Sequence, residues 1–244
     1  MAHHKETFVS KYIFSMDHKM IAKQFLLTGM FMALVGMLMS AIFRVQLANP
    51  GESSILYNLL PSNWLNEAGG LNPDKYLALV TMHGTILVFW VLTAGLSGTF
   101  ANFLIPLQIG ARDMASAFMN MLSYWFFFAA TVVLLSSIYV ETGPASAGWT
   151  IYPPLSALPQ AIPGSGMGMT LWLISITLFV VSSLLGGLNY IVTVLNLRTV
   201  GMKMKRLPLT VWGLLITAIL GTLSFPVLLS CGLLLIFDRS FGTS

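Results

Sequence analysis

Charge is scarce in this chain. Asp, Glu, Lys and Arg make up 8% of its 244 residues, against about 25% in soluble domains. That is too little polar surface to cover a water-soluble core, so lipid is the expected main solvent. Cysteine is scarcer still. Cys231 stands alone in an apolar run, which excludes a disulfide framework and a cysteine metal cluster. Only one of the four histidines, His83, lies inside an apolar run; His3, His4 and His18 precede the first one. There is no internal repeat and no low-complexity tract. The first 24 residues are polar and the apolar run after them is too long for a signal-peptide core, so no cleavable leader is expected.

What is present is apolar. Hydrophobic residues make up 56% of the chain and the mean hydropathy is +0.82. A membrane span needs roughly 20 apolar residues, and the sequence predicts five, over 25–45, 76–107, 114–140, 167–197 and 207–237. The net charge of +4 superficially suits nucleic acid. The basic residues, however, sit in short loops between spans, where they orient a membrane protein. With the N-terminus in the cytoplasm, Lys5, Lys11, Lys19, Lys23, Arg112, Arg198, Lys203, Lys205 and Arg206 lie inside. Arg44, Lys75 and Arg239 lie outside. The expected fold is therefore an all-α, polytopic bundle, a single membrane domain over 1–244, with its C-terminus outside. Of the outer loops, 44–75 carries Glu52, Glu67, Asp74 and the interface anchor Trp64. Loop 141–166 is rich in Gly and Pro and is expected to pack as a lid.

His83 sits seven residues into the second span, about 10 Å from its outer edge at 1.5 Å per residue. An ionisable group at membrane depth is a functional candidate. It could ligate haem iron, relay protons, or bond a neighbouring helix. Gly84 beside it removes bulk next to the ring. A second constellation faces the cytoplasm. Asp113 stands in a short inner loop, Asn102 and Asn120 flank it on the second and third spans, and Asn196, Asn189, Ser183 and Ser182 follow along the fourth. A carboxylate mouth followed by amides and hydroxyls can hold a water chain for protons. The same residues can equally act as interhelical glue. Arg44 either snorkels to headgroups or meets a polar group of a buried cofactor. Glu141 and Asp238 read as helix-end charges, and the Met and Phe content as core and lipid-facing filler.

The residues reached so far resemble subunit I of the A-type haem-copper terminal oxidases, the cytochrome c oxidase family. The resemblance is carried by Met82-His83-Gly84, by Asn102-Phe103-Leu104-Ile105-Pro106-Leu107, and by Ile109-Gly110-Ala111-Arg112-Asp113-Met114-Ala115. Asp17-His18-Lys19, the stretch from Gly148 through Trp149, Thr150, Ile151, Tyr152, Pro153 and Pro154 to Leu155, and Asp238-Arg239 match in order and spacing. It implies that His83 is an axial ligand of a low-spin haem, expected to be haem A, and that Arg44 meets its formyl group. Trp149 and Tyr152 would lie above its propionates. Asp113 would be the mouth of the D proton pathway, lined by Asn102, Asn120, Asn189, Ser182 and Ser183. It further implies O2 reduction to water with proton pumping, cytochrome c as donor, subunits II (copper-bearing) and III as partners, and a bacterial inner membrane as location.

The chain departs from the pattern in places. Phe25 stands where an aromatic hydroxyl is frequent, and Gln46 where an acidic residue is frequent at an outer cation site. Ser116-Ala117-Phe118 replaces the common Phe-Pro-Arg. Lys75 and Ala78 occupy the positions where quinol-oxidising members tend to carry His and Gln, which favours cytochrome c over quinol. The family's copper ligands, second low-spin haem ligand and high-spin haem ligand belong to later helices, so the chain is expected to be one part of a larger catalytic subunit. A proton or solute transporter and a structural membrane subunit are the competing classes; the missing inverted repeat speaks against the first.

Overall fold

The computed structural model describes residues 7–50, 52–161 and 166–243. His3, His4 and Lys5 lie outside the described residues. Five helices are long and apolar enough to cross a membrane: α1 (His18–Ala48), α2 (Pro73–Ile109), α3 (Ala117–Tyr139), α4 (Met167–Asn196) and α5 (Leu209–Phe241). Among the described residues the only β-type pairings are isolated bridges, Leu65 with Leu71 and Pro144 with Gly168.

The ends differ from the sequence reading by a few residues, for local reasons. Helix α1 begins at His18, ahead of the apolar run, because Asp17 Oδ2 accepts from the Met20 N–H at 3.1 Å and caps the first turn. Helix α2 begins at Pro73, where a missing N–H costs nothing. It is α-helical over Pro73–Thr85, widens to a π-helix over Ile86–Leu96, and returns to α over Ser97–Ile109. Gly110 ends it at φ +74, and Thr199 donates both its N–H (3.0 Å) and its hydroxyl (2.6 Å) to the Ile109 carbonyl. Residues 114–116, expected at the head of the third span, are instead held as a loop.

Two compact units divide the helices. Unit 1 comprises Met1–Gly29, Leu92–Phe128 and Leu178–Leu229; unit 2 comprises Met30–Val91, Ala129–Thr177 and Ser230–Ser244. In unit 1 the core joins Ala101, Ile105 and Ile109 of α2 to Val194 of α4 and Val211 and Leu215 of α5. A second apolar knot centres on Phe25. Its ring stacks on Phe127 at 5.3 Å and meets Tyr124 edge-on at 5.4 Å. A Cβ on Gly98 would stand 2.7 Å from Phe25 Cδ1, so the glycine makes the room this ring occupies.

Unit 2 satisfies its buried tryptophans through threonines. Trp90 Nε1 donates to Thr131 Oγ1 at 2.9 Å and Trp172 Nε1 to Thr85 Oγ1 at 3.1 Å. The loop that follows Glu141 packs down in this unit, as expected of a lid: Ala145, Ile151 and Ser156 are buried. Three ties hold it. Lys75 Nζ donates to the Thr142 carbonyl at 2.8 Å, and the Gly148 N–H donates to Thr81 Oγ1 at 2.9 Å. Arg239 donates to the carbonyls of Ser156 (3.3 Å) and Gly166 (2.8 Å) and to Thr170 Oγ1 (3.2 Å).

Candidate functional site

The imidazole of His83 is held in one orientation within unit 2. Its Nδ1 lies 2.8 Å from the Gly36 carbonyl. A carbonyl only accepts, so Nδ1 carries the proton and the neutral ring keeps a lone pair on Nε2. Nε2 has no hydrogen-bond partner among the described residues. The Phe43 ring meets the imidazole edge-on at 5.5 Å and limits its rotation. Gly36 contributes by being small: a Cβ there would stand 3.2 Å from Ile86 Cγ2. A ring whose far nitrogen is tied to a carbonyl is the usual arrangement of a metal-ligating histidine. This donor set fits one axial position on a haem iron. Among the described residues no group of three or more His, Cys, Asp or Glu could hold a metal ion by itself.

The neighbouring candidates differ in how far the fold commits them. Trp149 packs onto α2 at Gly84, the residue after His83, since a Cβ on Gly84 would meet its Cβ, Cγ and Cδ1 at 3.2–3.3 Å. Arg44 is exposed; its Nε donates to Ser40 Oγ at 3.2 Å, and its other N–H groups have no partner among the described residues. Tyr152 is 71% exposed. The geometry thus brings Trp149 to Gly84 and leaves Arg44 and Tyr152 free to turn. Gln46 has a structural task of its own: Oε1 accepts from the buried Tyr57 hydroxyl and from the Leu71 N–H, each at 2.9 Å. Burial pushes the Tyr57 phenol above its ordinary value.

Unit 1 gathers the polar constellation, and its members fall into two kinds. Some bond other helices or loops. Asn189 Oδ1 accepts from the Ser116 N–H at 2.9 Å while its Nδ2 donates to the Ser116 carbonyl at 3.0 Å. Thr193, one turn on, accepts from the Ala115 N–H at 2.9 Å. Together they pin the segment that carries Asp113, whose Oδ1 accepts from the Met114 N–H at 2.6 Å. Ser182 donates across to the Ser123 carbonyl at 2.7 Å. Asn189, Thr193 and Ser182 are glue in the ordinary sense.

Asn102 and Asn120 are not fully satisfied by neighbouring helices. Asn120 is fully buried, and neither its Oδ1 nor its Nδ2 has a partner; Asn102 Oδ1 is in the same state. Leaving such groups dry costs about 1–3 kcal/mol each, and water is the usual partner where there is room. A cavity of about 280 Å³ lies within unit 1, walled in part by Phe25, Ser123, Ser182, Ser183, Gly186 and Tyr190; Asn102 and Asn120 stand behind this wall, joined to it by Tyr190 and Ser123. Buried His18 stands by as well, its Nδ1 donating to the Asn102 carbonyl at 2.8 Å.

Several of these groups escaped the sequence reading. Tyr190, Thr193 and Gly36 carry no motif, and their parts depend on partners from 47 to 88 residues away in the chain. The signal for Tyr190 was faint: a phenol directly after Asn189 on an apolar helix. His18 was noticed only as part of a motif, not as a buried partner of Asn102.

Fold and site together define an all-helical membrane protein with the His83 imidazole oriented by a carbonyl and, separately, a buried polar cluster. Comparison with known proteins narrows the class. Residues 20–244 match the family described as cytochrome C and quinol oxidase polypeptide I, and the chain belongs to that family, the haem-copper oxidases. It is 43% identical over 242 residues to an alternative cytochrome c oxidase subunit 1 of Bradyrhizobium diazoefficiens, covering 99% of this chain and 38% of that protein. It is 39% identical to cytochrome c oxidase subunit 1 of Candida albicans (97% of this chain, 41% of that one) and to that of Thermostichus vulcanus (96% and 38%). The chain therefore spans about two fifths of the length of the curated relatives it matches.

Proposed function

We propose that this chain is the haem-holding and proton-admitting part of the catalytic subunit of a terminal oxidase. In this reading His83 ligates a low-spin haem, haem A, through Nε2. The observation that carries it is the Gly36 carbonyl, which accepts a hydrogen bond from Nδ1–H and leaves the Nε2 lone pair available. When bound, the haem passes electrons one at a time; the chain's own residues orient it. Arg44, free to turn, reaches its formyl group. Trp149, seated at Gly84, and Tyr152 close the lid side near its propionates.

Protons enter at Asp113, on the cytoplasmic side that the distribution of Lys and Arg assigns to the N-terminus. Asn189 holds the entrance segment in place. Asn102 and Asn120, with unpartnered amide atoms, hold the first waters, and Ser182 and Ser183 continue the line along the cavity wall. The C-terminus lies outside, residues 1–244 act as a single membrane domain, and the location is a bacterial inner membrane. The high-spin haem and copper would be held by the rest of subunit I, with subunits II and III as further partners. Helix α5 leaves most of its apolar residues exposed, a face that suits lipid or partner helices. Nucleic acid has no part in the function.

Cytochrome c is the proposed donor. Where quinol-oxidising members tend to carry His and Gln, Lys75 is committed to the Thr142 carbonyl and Ala78 is buried. The test is a reduced-minus-oxidised visible spectrum of the native complex, with and without His83→Ala, together with oxygen uptake on reduced cytochrome c and on quinol. The expected result is a low-spin haem band that His83→Ala abolishes in an assembled complex. A band that survives the substitution refutes the ligand assignment, and oxygen uptake on quinol alone refutes the donor.

A further inference from the structure

The Asn102 carboxamide is locked in one sense. Its Nδ2 donates one hydrogen to the Gly98 carbonyl at 2.7 Å and the other to the Tyr190 hydroxyl at 3.1 Å. With both hydrogens used, Oδ1 can only accept, and it is buried with no donor among the described residues. The Tyr190 oxygen accepts from Asn102, so its own O–H must point elsewhere, and it has no acceptor among the described residues. Tyr190 also walls the cavity of about 280 Å³, in which each water needs only about 10–15 Å³ on this kind of measure. Gly186 keeps the hydroxyl clear: a Cβ there would lie 3.3 Å from it.

Three other hydroxyls on the wall are spoken for in the opposite sense. Ser123 donates to the Asn120 carbonyl, Ser182 to the Ser123 carbonyl, and Thr222 to the Ala218 carbonyl. Each therefore presents lone pairs to the cavity, whereas Tyr190 presents a hydrogen. A water beside Tyr190 accepts from the phenol and turns its own hydrogens toward the serines. On the Asn102 side only a donor can sit. The phenol thus gives the hydrogen-bonded line a direction at the step between the amides and the cavity.

We propose that Tyr190 is a positioning residue of the proton line: its hydroxyl locks the Asn102 amide and orients the waters of the cavity. This rests on the reading of Asp113 as the proton entrance. A phenylalanine would fill the same space without doing either task.

The experiment compares Tyr190→Phe and Asp113→Asn in the native complex that contains this chain. It measures proton uptake with a pH indicator in H2O and D2O, alongside the low-spin haem spectrum. Tyr190→Phe is expected to slow proton uptake about tenfold, the factor for one hydrogen bond's worth of orientation, to raise the solvent isotope effect, and to leave the haem band unchanged. Uptake within twofold of wild type with an unchanged isotope effect, while Asp113→Asn is slow, overturns the role of Tyr190 and leaves the entrance standing. An Asp113→Asn variant as fast as wild type overturns the entrance and, with it, this role. Should Tyr190→Phe fail to assemble, Gly186→Ala crowds the hydroxyl while retaining it; slower uptake supports the proposal and unchanged uptake overturns it.

Discussion

Removing the Asn189 carboxamide would release the segment that carries Asp113. Asn189 is 2% exposed and grips Ser116 at both its N–H (2.9 Å) and its carbonyl (3.0 Å). In Asn189→Ala both bonds vanish, and the small side chain leaves no substitute. Each contributes a net of about 1 kcal/mol, so the closed segment loses about 2 kcal/mol. At 1.4 kcal/mol per factor of ten, the open population rises roughly 30-fold. Hydrogen exchange at the Ser116 amide should accelerate by that factor. The Ala115 amide, still held by Thr193 at 2.9 Å, should accelerate less. Thr193→Val reverses the order, because it frees Ala115 and leaves Ser116 gripped. Proton uptake should slow in Asn189→Ala with the haem spectrum intact. Unchanged exchange at Ser116 in the assembled variant would refute the clamp, whatever happens to activity.

Three further outcomes follow from the packing. Gly98→Ala drives a Cβ to within 2.7 Å of the Phe25 ring. Overpacking of this kind costs about 1–3 kcal/mol and should lower the thermal midpoint; Gly213→Ala, with nothing within 4 Å, is the control and should not. Gln46→Ala strands the Tyr57 hydroxyl and the Leu71 N–H, at about 1–3 kcal/mol for a buried group left unmade. Because burial raises the Tyr57 pKa, its contribution to stability is present below the unfolded value of about 10 and is lost as pH rises through the folded value. The midpoint of the wild type should fall there more than that of Tyr57→Phe. Arg239→Ala removes the tie to Ser156, Thr170 and Gly166, and limited proteolysis within 150–161 should accelerate.

Much of this protein is legible in one dimension because lipid simplifies the problem. A backbone in hydrocarbon must satisfy its own hydrogen bonds, so an apolar run of sufficient length has to be a helix. That is why five long apolar helices, the all-helical class and His83 as an imidazole inside an apolar run could be read directly from composition and spacing. The ordered motifs around His83 and Asp113 likewise pointed to the family that residues 20–244 match.

The rest depended on contacts between distant segments. No local pattern says that the Gly36 carbonyl accepts from the His83 Nδ1–H, because the two residues are 47 apart and meet only where a glycine lets α1 approach α2. The amides looked equivalent in the sequence, yet the fold separated them. Asn189 spends both ends on Ser116, while Asn120 keeps both ends free in a fully buried setting. Tyr190 drew no notice because a phenol on an apolar helix is ordinary until its hydroxyl is found on Asn102 at the wall of a cavity. Helicity is decided by the solvent and the local chain, whereas which donor meets which acceptor is decided only when helices remote in sequence pack together.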